Sequence, residues 1–254
     1  MATNGDLVDA TGRPSASPDE EFWIFGYGSL IWKPPPHYDQ RVPGWVTGYV
    51  RRFWQVRQMR SLPVSLAPRQ DHRGTPSAPG RVVTLIERSF WASLADSHES
   101  APQKVWGTAY RIKAAHVTEV KEYLDIREIN GYTIHYTPFH PADGSAPIRT
   151  LVYIGTPDND QFVGPQDPQA LAEHIHRSEG PSGLNRDYLL ELEKALDELS
   201  PESGDAHVTD LSDRLRQIEW EMGNGGVKAA AKGPAPHAFT AVSSVEEQEE
   251  TEKV

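Results

Sequence analysis

The chain has 254 residues, a net charge of −11, 37% hydrophobic and 24% charged residues, and no cysteine. That length suits one substantial domain. The missing cysteines exclude disulfides, thiolate catalysis and Cys-ligated metal sites. No apolar run approaches the twenty residues of a spanning helix. Residues 1–20 lack the apolar segment of a secretory signal, so a cytosolic location is expected. The acidic balance disfavours a nucleic-acid partner, and nothing points to a membrane.

Residues 1–19 and 224–254 are poor in large apolar side chains and are expected to be disordered tails around a folded domain at 20–223. The first strand candidate, Phe22–Tyr27, is aromatic and β-branched and stops at Gly26-Tyr27-Gly28-Ser29. Val46–Trp54, Arg81–Ile86 and Val105–Ile112 have the same character. Ala114–Leu124 places Val117, Val120 and Leu124 on one helical face. Tyr132–Phe139 and Ile148–Ile154 follow as strands, with Pro141-Ala142-Asp143-Gly144 as a hairpin-like turn between them. Asp167-Pro168 reads as an N-cap and first-turn proline. Leu189, Leu192, Leu196 and Leu199 within Asn185–Leu199 keep helical spacing, as do Leu211, Leu215 and Ile218 after Asp210. Strands crowd the first part and helices the last. The fold class is therefore α+β, a curled or closed, mostly antiparallel sheet flanked by helices. A doubly wound parallel sheet would need strand–helix alternation, which is missing between Phe22 and Ile112.

Several segments carry candidate chemistry. In Phe25–Trp32, two glycines one residue apart let backbone N–H groups converge on an anion, although an ordinary tight turn explains them too. Ser29 lacks the Gly-x-Ser-x-Gly pattern, since Ile31 fills the last position. Glu128 sits among apolar neighbours, where burial would raise its pKa and suit it to proton transfer. A salt-bridged surface glutamate is the plainer alternative. His135 and His140 share a strand candidate, and His174 and His176 lie two apart on a helix. Neither spacing favours chelation, so no metal site is expected. Asp71-His72 with Ser29 makes an unconvincing triad, because adjacent side chains on an extended chain point apart. Gly180–Tyr188 is a loop with Asn185 as a plausible N-cap, or else a pocket wall that aims Tyr188 inward.

Four segments together, FGYGSLIW (25–32), RRFWQ with DHRGTP and PGRVV (51–55, 71–76, 79–83), YLDIREINGY (123–132) and YIGTPDN through GPSGLNRDY (153–188), resemble the ChaC-type glutathione-specific γ-glutamylcyclotransferases. The resemblance runs in order from about Trp23 to about Leu215. It implies a γ-glutamylcyclotransferase-like fold, a small mostly antiparallel β-barrel flanked by helices. It also implies cleavage of glutathione to 5-oxoproline and Cys-Gly without a metal or organic cofactor. The substrate loop falls on Gly26, Tyr27, Gly28, Ser29, Leu30 and Ile31, the catalytic glutamate on Glu128, and a further substrate-binding position on Tyr188. One departure is an insertion at Val56–Gln70, with three arginines and no acid, expected to be an extra surface loop. Other γ-glutamyl substrates, or a catalytically silent binding protein on the same scaffold, are the alternatives.

Overall fold

In the computed structural model the described residues are 21–57, 73–75, 77–128 and 132–230, with the backbone alone described for 57, 123–128, 132 and 225–230. The seven main strands are β1 (Phe22–Gly26), β2 (Tyr38–Val46), β3 (Tyr49–Arg57), β4 (Gly80–Glu87), β5 (Val105–Ile112), β6 (Tyr132–Pro141) and β7 (Ile148–Gly155). Five close a barrel in the order β1-β5-β2-β6-β7, while β3 and β4 pair as a separate ribbon. Every barrel pairing is antiparallel except the closing one, where β1 runs parallel to β7 through Ile24 and Leu151. The expected α+β class with a mostly antiparallel barrel is thus what the chain adopts.

β1 is buried along its whole length, which explains its continuous apolar run Phe-Trp-Ile-Phe. Phe25 meets Phe139 of β6 at a ring separation of 5.6 Å. The expected strand Val46–Trp54 is in fact two strands, broken at Thr47-Gly48, where Gly48 adopts φ +86°. An L-residue disfavours that conformation, so the glycine sets the turn. β2 escapes sequence detection because Pro43 and Gly44 interrupt it. Pro43 is tolerated because β2 pairs with β6 only from Gly44 onward, leaving the preceding stretch with β5 as its partner. The turn after Pro141 is as expected, with Gly144 at φ +79° and Asp143 accepting from the Ser145 amide at 2.9 Å.

Five helices follow the strands or join them: α1 (Arg88–Trp91), α2 (Val117–Glu128), α3 (Pro168–Arg177), α4 (Asn185–Asp197) and α5 (Ala206–Ala230). A 3-10 turn at Ala114–His116 leads into α2, and Val117 and Val120 pack toward Phe22, Ile24 and Leu151. Asp167 caps α3 by accepting from the Ala170 amide at 2.8 Å. Leu189, Leu192 and Leu196 of α4 and Leu211 and Leu215 of α5 join the main core. α5 starts earlier than Asp210 suggests, because Asp205 accepts from the His207 amide at 3.1 Å and serves as the cap. Its backbone runs to Ala230, past the boundary expected at 223. Val56 and Arg57, the first residues of the expected insertion, pair with Arg81 and Gly80 in the β3–β4 ribbon. The rest of the insertion and the N-terminal tail lie outside the described residues. The chain divides into one unit ending at Ile218 and another beginning at Glu219. Among the described residues, no helix is long and apolar enough to cross a membrane.

A buried polar network ties β3 to α5. Arg51 pairs with Asp205 at 3.4 Å and donates to the Trp106 carbonyl, while Arg52 pairs with Asp96 at 2.6 Å. His207 is 3% exposed, and its Nε2 lies 3.1 Å from the Phe53 amide. That amide can only donate, so Nε2 must accept and Nδ1 must carry the proton. Nδ1 then donates to His98 Nδ1 at 3.2 Å, leaving His98 Nε2–H to donate to Asp210 at 3.0 Å. Burial, reinforced by Arg52, His98 and Arg51, holds the His207 pKa well below its ordinary value. The unfolded chain therefore binds a proton below about pH 6.5 that the folded chain refuses. The stability contributed by neutral His207 is full above that pH and is lost as pH falls toward the depressed folded value. Urea unfolding at pH 8 and pH 5 should show a steeper loss for the wild type than for His207→Gln. Equal losses would remove His207 as the cause.

Candidate active site

The strand register decides which segments share a barrel rim. β1 and β7 run parallel through Ile24 and Leu151, so their C-terminal ends, Gly26 and Gly155, emerge on the same side. Gly155 pairs with Tyr132, the first residue of β6. Four residues before Tyr132, the backbone of α2 ends at Glu128. The glycine turn and the start of β6 at Tyr132 therefore belong to one rim, although about a hundred residues separate them in sequence.

Past Gly26 the chain folds at once into a 3-10 turn, Ser29–Ile31, closed by the Ile31 amide donating to the Gly28 carbonyl at 2.9 Å. The amides of Ser29 and Leu30 precede that bond and have no acceptor within the turn. Tyr110 of β5 fixes the turn from below, donating to the Leu30 carbonyl at 2.7 Å. Tyr27 and Ile31 are buried, while Ser29 and Leu30 are partly exposed. Gly28 is required by close approach: a Cβ there would lie 2.8 Å from Val83 Cγ2 and 3.0 Å from the Tyr188 hydroxyl.

Tyr188, the fourth residue of α4, is thus brought to the glycine turn. Its ring is 3% exposed and packs against Trp32 at 5.6 Å and Phe53 at 5.9 Å. The Arg73 guanidinium lies over its ring at 5.9 Å. Below, burial lowers the pKa of Arg51, and the fields of Asp205, Tyr188 and Tyr27 oppose that shift. Gly26, Tyr27, Gly28, Ser29, Leu30, Ile31 and Tyr188 therefore form one cluster. Glu128 closes α2 four residues before Tyr132, and its side chain lies outside the described residues.

Asn185 is not the cap of α4, whose flanking residue is Leu184. Its fully buried amide instead imitates a strand: Oδ1 accepts from the Arg81 amide at 2.7 Å and Nδ2 donates to the Arg81 carbonyl at 2.8 Å. This bond pair aligns α4, and so Tyr188, with β4 and Val83. The role of Tyr110 also went unread, since neither residue stands beside the turn in sequence. A cavity of about 280 Å³ opens beside Gly155, lined in part by Glu87, His135 and Asp158. Its two acids make it a poorer anion site than the turn, which offers backbone N–H groups.

The arrangement defines a small closed barrel that presents backbone donors and a tyrosine at the rim of its one parallel strand pair, a site suited to a small anionic substrate. The sequence profile of the ChaC-like protein family matches residues 22–218. A glutathione-specific γ-glutamylcyclotransferase of Schizosaccharomyces pombe is 46% identical over 205 residues, 79% of this chain and 95% of that protein. A human protein named glutathione-specific γ-glutamylcyclotransferase 1 is 36% identical over 199 residues, 77% of this chain and 79% of that one. The crystal structure of a yeast γ-glutamylcyclotransferase specific to glutathione superposes with a TM-score of 0.66 at 35% identity, covering 78% of this chain and 97% of that one. The chain belongs to the ChaC-like family.

The Asn185 bonds give a direct test. Asn185→Leu should orphan the part-buried N–H and C=O of Arg81 and cost about 1–3 kcal/mol of stability. Urea denaturation would measure the loss, with faster hydrogen exchange at the Arg81 amide. A loss under about 0.5 kcal/mol would show that the bonds are dispensable.

Proposed function

We propose that this chain is a γ-glutamylcyclotransferase that cleaves glutathione to 5-oxoproline and Cys-Gly. The observation that supports the reading is the close approach of Tyr188 to the Gly26–Ile31 turn, in a chain whose relatives include several proteins named glutathione-specific γ-glutamylcyclotransferases.

The substrate supplies both reacting groups. Its glutamyl α-amine attacks its own γ-carbonyl, the new N–C bond closes a five-membered lactam, and the bond to the cysteine nitrogen breaks. No water is consumed and no electrons change hands. The protein must fold the substrate, remove a proton from the amine and return one to the departing nitrogen. Glu128 is assigned both transfers, since one carboxylate between two nitrogens suffices. The Ser29 and Leu30 amides are assigned to the α-carboxylate or the developing oxyanion, and Tyr188 walls the pocket. We place the activity in the cytosol, in keeping with the cysteine-free composition.

Purified protein incubated with glutathione should release 5-oxoproline and Cys-Gly in equal amounts. Activity confined to other γ-glutamyl peptides would shift the substrate assignment, and no 5-oxoproline from any of them would leave a silent scaffold. Glu128→Gln should keep its circular dichroism and lose about two to four orders of magnitude in turnover. Activity within a few-fold of wild type would take Glu128 out of the mechanism. Gly28→Ala pushes on both Val83 and the Tyr188 hydroxyl and should lower kcat/KM by about 10- to 100-fold. An unaffected kcat/KM would show that the turn tolerates displacement.

A further inference from the structure

Away from the barrel rim just described, at the first turn of α2, three metal-ligating side chains meet. His37 stands immediately before β2, His116 ends the 3-10 turn ahead of α2, and Glu119 lies in the first turn of α2. Their donor atoms all lie within 4.8 Å of one another. Glu119 divides its oxygens, Oε1 lying 3.2 Å from His37 Nε2 and Oε2 lying 2.9 Å from His116 Nδ1. The side chains are 36%, 37% and 63% exposed for His37, His116 and Glu119, so an ion from solvent can reach them.

The backbone brings this set together at a cost. β2 pairs with β5 through Tyr38 and Ile112, and the Lys113 amide donates to the His37 carbonyl at 3.0 Å. Among the described residues, His37 alone of the non-glycines has positive φ, at 60°. That conformation is disfavoured for an L-residue, and here the imidazole lies over His116. The two rings stack 3.8 Å apart and 2° from parallel.

We propose that His37, His116 and Glu119 form a binding site for a divalent transition-metal ion of the zinc, nickel or copper class, separate from the catalytic rim. Two imidazoles and one carboxylate match the donor preference of those ions, whereas magnesium and calcium take oxygen donors. A metal must lie in the plane of each imidazole it binds, and two parallel planes share no point. Binding one ion through both imidazoles therefore turns one ring out of the stack. His116 and Glu119 sit one helical turn apart on adjoining elements and supply a local chelate, which His37 completes from the start of β2. Glu119 lies nine residues before Glu128 on the same helix, about 13 Å away along its axis. The bound ion therefore takes no part in proton transfer and acts as a tie between β2 and α2.

The test uses the full chain with any histidine tag removed and with metal stripped by EDTA. ZnCl2 and MgCl2 are titrated by calorimetry, and CoCl2 by visible absorption. One zinc per chain should bind, magnesium should give no heat, and cobalt should develop ligand-field bands. The double variant His37→Gln/His116→Gln should lose the cobalt bands and bind zinc at least about tenfold more weakly. Glu119→Gln should weaken zinc binding without lowering the metal-free melting temperature much, which keeps the test valid should the double variant fold poorly. Zinc affinity unchanged in both variants would overturn the proposal, as would magnesium binding equal to zinc. Neither result bears on 5-oxoproline release, so the site and the catalytic reading fail independently.

Discussion

The single parallel contact that closes the barrel, Ile24 against Leu151, governs where everything else stands. An antiparallel closure would send the C-terminal ends of β1 and β7 to opposite rims. The parallel one puts the glycine turn after β1 on the same rim as the end of β7, and β6 starts there through the pairing of Tyr132 with Gly155. Open α/β sheets place ligands outside the carboxyl ends of parallel strands, and the proposed site would stand at the same end of the one parallel pair in this barrel. The close approach of β1 to its neighbour β5 is also enforced, since a Cβ on Gly107 would press into the Gly26 carbonyl oxygen.

Rigidity at the turn comes from packing rather than from the turn itself. A three-residue 3-10 segment has poor hydrogen-bond geometry and little stability of its own. Tyr110 holds its carbonyls, Val83 and Tyr188 press on Gly28, and Phe53 backs Tyr188. Phe53 is in turn fixed by its amide bond to His207, whose tautomer that bond dictates. The buried Arg51–Asp205 and Arg52–Asp96 pairs anchor the same strand. Buried ion pairs contribute little net stability, but removing one partner is costly because the other charge is left without compensation. Their visible effect here is to pin β3 between the loop holding Asp96 and the start of α5.

Much of this was legible from the residues. The apolar run of β1, the Asp167 cap and the leucine face of α4 each follow from local pattern, and the structure keeps them. The glycine turn and Tyr188 were singled out in the sequence, yet their adjacency depends on a contact between residues 160 positions apart. β2 was illegible because a proline and a glycine within a strand normally argue against one, and only its one-sided pairing at Pro43 removes the objection. Asn185 looked like a cap because caps are the usual use of asparagine before a helix, whereas tertiary pairing with β4 claims its amide. In the His37–His116–Glu119 cluster only the His116–Glu119 spacing is visible in the sequence, since strand pairing brings in His37.

An intramolecular reaction explains why so compact a frame can serve. When nucleophile and electrophile belong to one molecule, the entropic cost that remains is that of selecting the folded conformer. Well-oriented intramolecular attack gains about 7–11 kcal/mol over the bimolecular reference. In the proposed reaction, a rim that held a carboxylate on fixed amides, walled the γ-glutamyl chain with a locked tyrosine and left one carboxylate to move a proton would supply what that selection needs. The design succeeds only if the rim does not give, because a displacement near 1 Å can cost about 100-fold in rate. The fixed points are accordingly main-chain groups at the ends of closed strands and an aromatic ring held on three sides, not long side chains on exposed loops.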